Sequence, residues 1–120
     1  MSAAARSVAG VDRVRVLLVD DHAVVRLGFR SLLAQQAWCG DIDEAASGDV
    51  GYQMYRDLAP DVVVMDLSMP RMSGLTAIQR ITAVAPGARI LAVSVHDETV
   101  FVMQALKAGA AGYVSKGSAP

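Results

Sequence analysis

The feature that most constrains this chain is an alternation of short apolar runs with amphipathic stretches. Residues 14–19 (VRVLLV), 61–65 (DVVVM) and 89–95 (RILAVSV) are dense in valine, isoleucine and leucine and are bounded by charged or turn-forming residues. Runs of that length and composition read as strands buried on both faces. Between them, residues 23–36 place Val24, Leu27 and Leu32 at helical spacing, with Arg26 and Arg30 on another face. Residues 48–58 make a second helical stretch stopped at Pro60, and residues 74–85 a third closed by Pro86-Gly87. Residues 97–108 make a fourth, with Asp97 and Glu98 near its start and Gly109 after its end. Two further strands, 41–46 and 111–114, complete the series.

Strands alternating with helices imply βαβ units and therefore a parallel sheet. Right-handed crossovers put helices on both faces of that sheet. In such α/β folds the site lies outside the carboxyl ends of the strands, where the winding reverses. That rule selects the residues to compare. Asp20 and Asp21 follow the first strand, Asp66 follows the third, and Ser94 sits at the end of the fourth. Lys116 follows the fifth, with Tyr113 shortly before it. Three carboxylates, a hydroxyl and an amine thus gather at one sheet edge.

Composition narrows the chemistry available to that edge. A chain of 120 residues fits one domain, and 53% hydrophobic residues suffice for a core. A formal charge of −1 offers neither a basic surface for nucleic acid nor a polybasic membrane patch, so any electrostatic chemistry is local. The single cysteine, Cys39, excludes an internal disulfide and cysteine-built metal sites, and it fits a reducing, cytoplasmic setting. Cys39 itself reads as a small apolar residue near a turn. No apolar run approaches the roughly 20 residues that cross a bilayer. Residues 1–13 lack the apolar segment of a secretion signal and read as a flexible leader to a domain spanning 14–120.

Aspartates packed together repel one another, and a hard cation removes the conflict. Mg²⁺ takes oxygen ligands in octahedral geometry, accepts one or two carboxylates, and keeps exchangeable waters. It would also keep Asp66 ionised and able to act as a nucleophile toward phosphorus. Phosphoryl transfer depends on positioning and charge neutralisation, which Mg²⁺ and the Lys116 ammonium would supply. The Ser94 hydroxyl and the loop amides after Asp66 would donate to phosphoryl oxygens.

Four segments, VLLVDDH (16–22), DVVVMDLSMPRMSG (61–74), ILAVSVH (90–96) and GYVSK (112–116), occur in order at spacings that resemble the receiver domain of bacterial response regulators. The wording DDH, DLSMP and GYVSK resembles the NarL/FixJ (LuxR-type) subfamily. The resemblance implies a flavodoxin-like three-layer sandwich with a five-stranded parallel sheet of order 2-1-3-4-5. It implies phosphorylation of Asp66 by a sensor histidine kinase in two-component signalling. Asp20, Asp21, Asp66 and the Ser68 carbonyl would hold Mg²⁺, and Ser94 and Lys116 would contact the phosphoryl group. Tyr113 would be the aromatic whose rotamer follows Ser94, and His96 a possible modulator of water access. The resemblance further implies DNA contact only through an output domain outside this chain and no enzyme activity beyond the domain's own phosphorylation and dephosphorylation, while the composition points to no membrane partner and the incomplete fold to a homodimer. Gly117 stands where the family often has proline, so a cis bond after Lys116 is not expected.

Plainer readings stand beside these. Either member of the acidic pair could cap the first helix. His22, next to that pair, is a poor match for Mg²⁺, which prefers oxygen. Two other functions compete. One is an unphosphorylated interaction module. The other is a small-molecule phosphatase or phosphotransferase using an aspartyl phosphate, although haloacid-dehalogenase-like enzymes carry Asp-x-Asp after the first strand, which this chain lacks. Flavin binding would need a phosphate loop there. The family fold also has a fifth helix, which would begin near Ser118, whereas the sequence ends at Pro120. The expectation is a truncated chain, or an apolar surface covered by another chain through dimerisation or exchange of elements.

Overall fold

The computed structural model describes residues 7–8, 11–70, 74–95 and 99–115. At its centre are five strands: β1 (Val14–Val19), β2 (Cys39–Ala45), β3 (Val62–Asp66), β4 (Ile90–Ser94) and β5 (Gly112–Ser115). All pair in parallel, in the spatial order β2-β1-β3-β4-β5. The connections run through α1 (Ala23–Ala34), α2 (Gly48–Leu58), α3 (Gly74–Val84) and α4 (Thr99–Ala108). This is the expected 2-1-3-4-5 flavodoxin-like arrangement. The winding reverses between β1 and β3, so the ends of those two strands flank the crevice where such sheets place their sites.

The period-2 alternation of the strands sorts the core into two layers. Leu17, Val19, Val63, Met65, Ile90 and Ala92 point to one face, where they pack with Ala77, Ile78 and Ile81 of α3 and Ala105 and Ala108 of α4. Tyr52 and Tyr55 of α2 flank that cluster. Val16 and Leu18 point to the other face, with Cys39, and meet Phe29 and Leu33 of α1. Full burial of one such side chain contributes about 1.5–3 kcal/mol, so the α3 layer is the stronger anchor. Helix α1 has no fully buried residue.

Several boundaries differ from the sequence reading, each for a local reason. Helix α1 stops at Ala34, two residues early, with Gln35 as its C-cap. Strand β2 begins at Cys39, so that thiol is a buried strand residue rather than a turn residue, and burial pushes its pKa up. Asp66 is the last residue of β3, held by pairing with Val93, and not the first of a loop. Helix α2 ends at Leu58 with Ala59 in the left-handed region at φ 46°. Pro60 disfavours the right-handed helical conformation for the residue before it, and the Ala59 N–H still donates to Tyr55 O at 2.8 Å. The charged residue inside β1 has its own account. Arg15 is buried, its guanidinium donates to the Leu58 and Ala59 carbonyls at the α2 C-terminus, and its backbone N–H donates to Asp61 Oδ2 at 2.8 Å.

Within the stretch read as a leader, Ser7–Val8 and Val11–Asp12 pair antiparallel as a ribbon separate from the five-stranded sheet. On the α1 side, Val24, Leu27 and Leu32 are 81%, 62% and 63% exposed. A hollow of about 180 Å³ lies among Val62, Arg89, Ile90, Leu91, Ala111 and Gly112. A fifth helix, expected from near Ser118, falls outside the described residues.

Candidate functional site

The carboxyl edge of the sheet brings the acidic residues together. Asp20 is 5% exposed, and Asp66 and Ser94 are each 1% exposed. Asp21 is exposed, at the lip of the crevice. Oxygen or nitrogen atoms of Asp20, Asp21, His22 and Asp66 that can bind a metal all lie within 4.8 Å of one another. Backbone bonds fix the turn that carries the pair: the Asp20 N–H donates to Ala45 O at 3.1 Å, and the His22 N–H donates to Asp20 Oδ1 at 2.8 Å. The N-cap of α1 is His22, whose side chain makes no cap bond, so neither aspartate is the capping residue. His22 Nδ1 instead lies 3.1 Å from Asp20 Oδ1 and 3.0 Å from Asp21 Oδ1.

Asp66 closes the crevice from β3. Its Oδ1 accepts the Ser68 N–H at 2.9 Å, and the Leu67 N–H donates to Val93 O at 2.9 Å, so the strand pairing runs one residue past Asp66. Ser94, at the end of β4, follows Val93, the residue paired with Asp66, and its Oγ lies 3.5 Å from Ser68 Oγ. Tyr113 lies on β5 opposite Ala92 and is half-buried against the α4-side core. Lys116 and His96 lie outside the described residues.

Two features of the site went unread in the sequence. Arg26 and Arg30, assigned only to a second face of α1, both grip Glu44 on β2: Arg26 Nε donates to Glu44 Oε1 at 2.9 Å and Arg30 Nε to Oε2 at 2.6 Å. The hydrogen bonds from Arg30 and then Arg26 pull the Glu44 pKa below the usual carboxylate range. Nothing local links residues 18 and 14 positions apart, so only the strand order could have suggested the pair. The other feature is Gly74, the first residue of α3. A Cβ there would stand 2.0 Å from the Asp66 carbonyl oxygen. Its legible signal was the glycine eight residues past Asp66, opening a helix.

Oxygen donors converging in this way suit a hard, strongly hydrated cation. Three carboxylates supply more negative charge than one Mg²⁺ carries, and two of them sit on a bonded, buried frame. The single nitrogen, from His22, already faces two carboxylates. The residues present therefore fit Mg²⁺.

The sequence pattern of the response regulator receiver domain matches residues 16–120. This chain belongs to that family. Its receiver domain is 41% identical over 105 residues to the response regulator GacA of Pseudomonas viridiflava, covering 88% of this chain and 49% of that protein. It is 41% identical over 107 residues to the response regulator UvrY of Escherichia coli strain K12, covering 89% of this chain and 49% of that one. Among solved structures, a LuxR-family two-component response regulator from Aurantimonas sp. SI85-9A1 superposes with a TM-score of 0.85 at 40% identity, covering 89% of this chain and 76% of that one. The chain is thus a receiver domain of two-component signalling, of the NarL/FixJ type expected, and it spans 49% of the length of those curated relatives. Receiver domains generally bind Mg²⁺ at an acidic pocket of this kind, and the donor set here fits. Among the described residues no helix is long and apolar enough to cross a membrane.

Proposed function

We propose that Asp66 is the phosphoacceptor of this receiver domain and that a sensor histidine kinase is its donor. The observation that carries this reading is the buried Asp66 carboxylate at the strand end, within 4.8 Å of the acidic pair from β1, with Ser94 buried at the end of the neighbouring strand. Asp20, Asp21, Asp66 and the Ser68 carbonyl would hold Mg²⁺, which neutralises phosphoryl charge when bound. The Ser68 N–H on Asp66 Oδ1 fixes the carboxylate plane, so one oxygen is presented to phosphorus in a constant direction. An Asp66 oxygen forms the new P–O bond as the P–N bond to the donor imidazole breaks, and the nitrogen keeps the electron pair.

Ser94 would then donate its O–H to a phosphoryl oxygen, and Lys116 would pair with the phosphoryl charge. Ser94 moves toward Asp66 in this reading, and Tyr113 turns into the space released, which reshapes the surface of α4 and β5. Phosphorylation biases a two-state equilibrium here. A swing from 1:99 to 99:1 needs about 5.5 kcal/mol of differential binding. One hydrogen bond to a charged group supplies about 1.5–3 kcal/mol, so Lys116 has to contribute as well. His96 would modulate water access, and phosphoryl transfer on and off Asp66 would be the domain's only chemistry. The full protein would be cytoplasmic and homodimeric, with DNA contact through an output domain outside this chain.

Intact mass spectrometry after incubation with Mg²⁺ and a small acyl phosphate tests the central claim. One phosphoryl adduct is expected, absent in Asp66→Asn and absent in EDTA. An adduct that survives Asp66→Asn would move the acceptor elsewhere, and no adduct in the parent chain would favour the interaction-module reading.

A further inference from the structure

The acidic turn is held from outside the crevice as well as from within. The Asp20 carbonyl, part of the peptide that joins Asp20 to Asp21, accepts a hydrogen bond from Arg26 Nη1 at 2.6 Å. Arg26 stands in the first turn of α1, its own N–H bonded to His22 O at 3.1 Å. The same guanidinium is held again through Nε, which donates to Glu44 Oε1 at 2.9 Å. Glu44 immediately precedes Ala45, whose carbonyl accepts the Asp20 N–H at 3.1 Å. The contacts therefore close a ring: Asp20 to Arg26, Arg26 to Glu44, Glu44 along β2 to Ala45, and Ala45 back to Asp20. Arg30 stiffens the ring from one side, with Nε on Glu44 Oε2 and Nη2 on Ile42 O, each at 2.6 Å.

A guanidinium carries its donors in one rigid plane, so fixing two of them fixes the direction of each. The carbonyl that Arg26 grips sets the rotation of the Asp20–Asp21 peptide, and that rotation aims both side chains. Charge alone would make Arg26 a poor neighbour for a cation site, because like charges repel. Its contribution to the site is therefore orientation.

We propose that Arg26, locked by Glu44, is a positioning residue for the metal-binding turn, holding the Asp20–Asp21 peptide so that both carboxylates face the cation. This rests on the reading of Asp20, Asp21 and Asp66 as the Mg²⁺ site. Two substitutions separate orientation from charge. Arg26→Lys keeps the charge and loses the planar fork, whereas Arg26→Gln loses both. Glu44→Gln retains an acceptor for Nε and tests the lock.

Isothermal titration of the metal-free protein with Mg²⁺ reads the effect, with thermal unfolding in EDTA as the measure of structural damage. Arg26→Lys and Arg26→Gln should each weaken Mg²⁺ binding by about tenfold, the low end for partners that orient metal ligands. Glu44→Gln should weaken it less. The Mg²⁺ concentration for half-maximal phosphorylation should rise in parallel, while the rate at saturating Mg²⁺ stays near that of the parent chain. Should Arg26→Gln not fold, Arg26→Lys carries the comparison. Mg²⁺ affinity within about twofold of the parent, or a lower melting temperature with unchanged affinity, overturns the proposal, because outer-shell positioning has to appear in the metal affinity itself. Tighter binding in Arg26→Gln would show that charge outweighs orientation and would also overturn it. A parent chain that shows no saturable Mg²⁺ binding, or an Asp20→Asn variant that binds as well as the parent, instead refutes the metal-site reading on which the proposal stands.

Discussion

At the scale of single residues, the tightest constraint on the site comes from a residue with no side chain. Helix α3 opens so close to the end of β3 that a Cβ on Gly74 would lie 2.0 Å from the Asp66 carbonyl oxygen and 2.9 Å from its carbon. Both obstacles are backbone, so no rotamer change relieves them. Gly74→Ala must push α3 away from β3 or shift the main chain of the acceptor itself. Overpacking of this kind costs about 1–3 kcal/mol. The expected outcome is a chain that still folds, with unfolding midpoint in urea lowered accordingly, and whose phosphorylation by an acyl phosphate slows by at least about tenfold, since small misplacements of reacting groups carry penalties of that order. Rates and midpoints unchanged from the parent would mean that the α3 entry relaxes without moving Asp66. Gly109 has a different basis: φ is +118°, and an added Cβ would meet Thr82 Cγ2 at 2.5 Å, so it ends α4 at the α3 contact.

At the scale of elements, α1 is attached to the sheet differently from α3. It buries no residue completely, and its polar face supplies Arg26 and Arg30 to a single carboxylate on β2. The Glu44 pKa is lowered by these partners from a reference of 4.5. The folded-state value lies below the unfolded one, so the stabilisation is fully present above the unfolded pKa and is lost as pH falls through the folded pKa. Glu44→Gln should therefore destabilise the domain at pH 7, with the difference from the parent shrinking as the pH falls below the range of an unfolded glutamate. Both partners are partly solvated, which limits the effect to about 0.5–1 kcal/mol and makes it fall with added salt. Urea unfolding at several pH values checks this, and a difference that grows on acidification contradicts it. This attachment also marks the limit of what the sequence disclosed. Strands β1, β3 and β4 were legible because buried parallel strands leave dense apolar runs, and Asp20, Asp21, Asp66 and Ser94 were legible because the carboxyl-edge rule acts on those runs. The Arg26–Glu44 link was not, since it joins the first turn of a helix to a strand that begins after a separate turn. Strand β2 was placed late for a related reason: Gly40, Asp41, Asp43 and Glu44 dilute its apolar signal, and it is β1 pairing that defines it.

At the scale of the whole molecule, the site gathers three carboxylates on a stable frame. Asp20 and Asp66 are buried, Asp21 adds a third negative charge, and all three come within 4.8 Å. Folding has to bring these charges together, whereas the unfolded chain keeps them apart in water. A cation that binds the assembled site and not the unfolded chain stabilises the fold by mass action, by about 2.7 kcal/mol at a hundred times its dissociation constant. For a domain of this size each kcal/mol moves the melting temperature by about 4 °C. Mg²⁺ at that concentration should therefore raise the melting temperature of the parent chain by about 10 °C. Asp66→Asn keeps the side-chain shape and an oxygen to accept the Ser68 N–H, but removes one of the clustered charges. The substitution should therefore melt higher than the parent in EDTA and gain much less from Mg²⁺, so that the two curves approach each other as the metal is added. Differential scanning calorimetry across a Mg²⁺ series reads both trends. If Asp66→Asn melts lower than the parent in EDTA while Mg²⁺ leaves the parent unmoved, the carboxylates are not in conflict, and the frame that presents Asp66 is held by something other than the balance of charge described here.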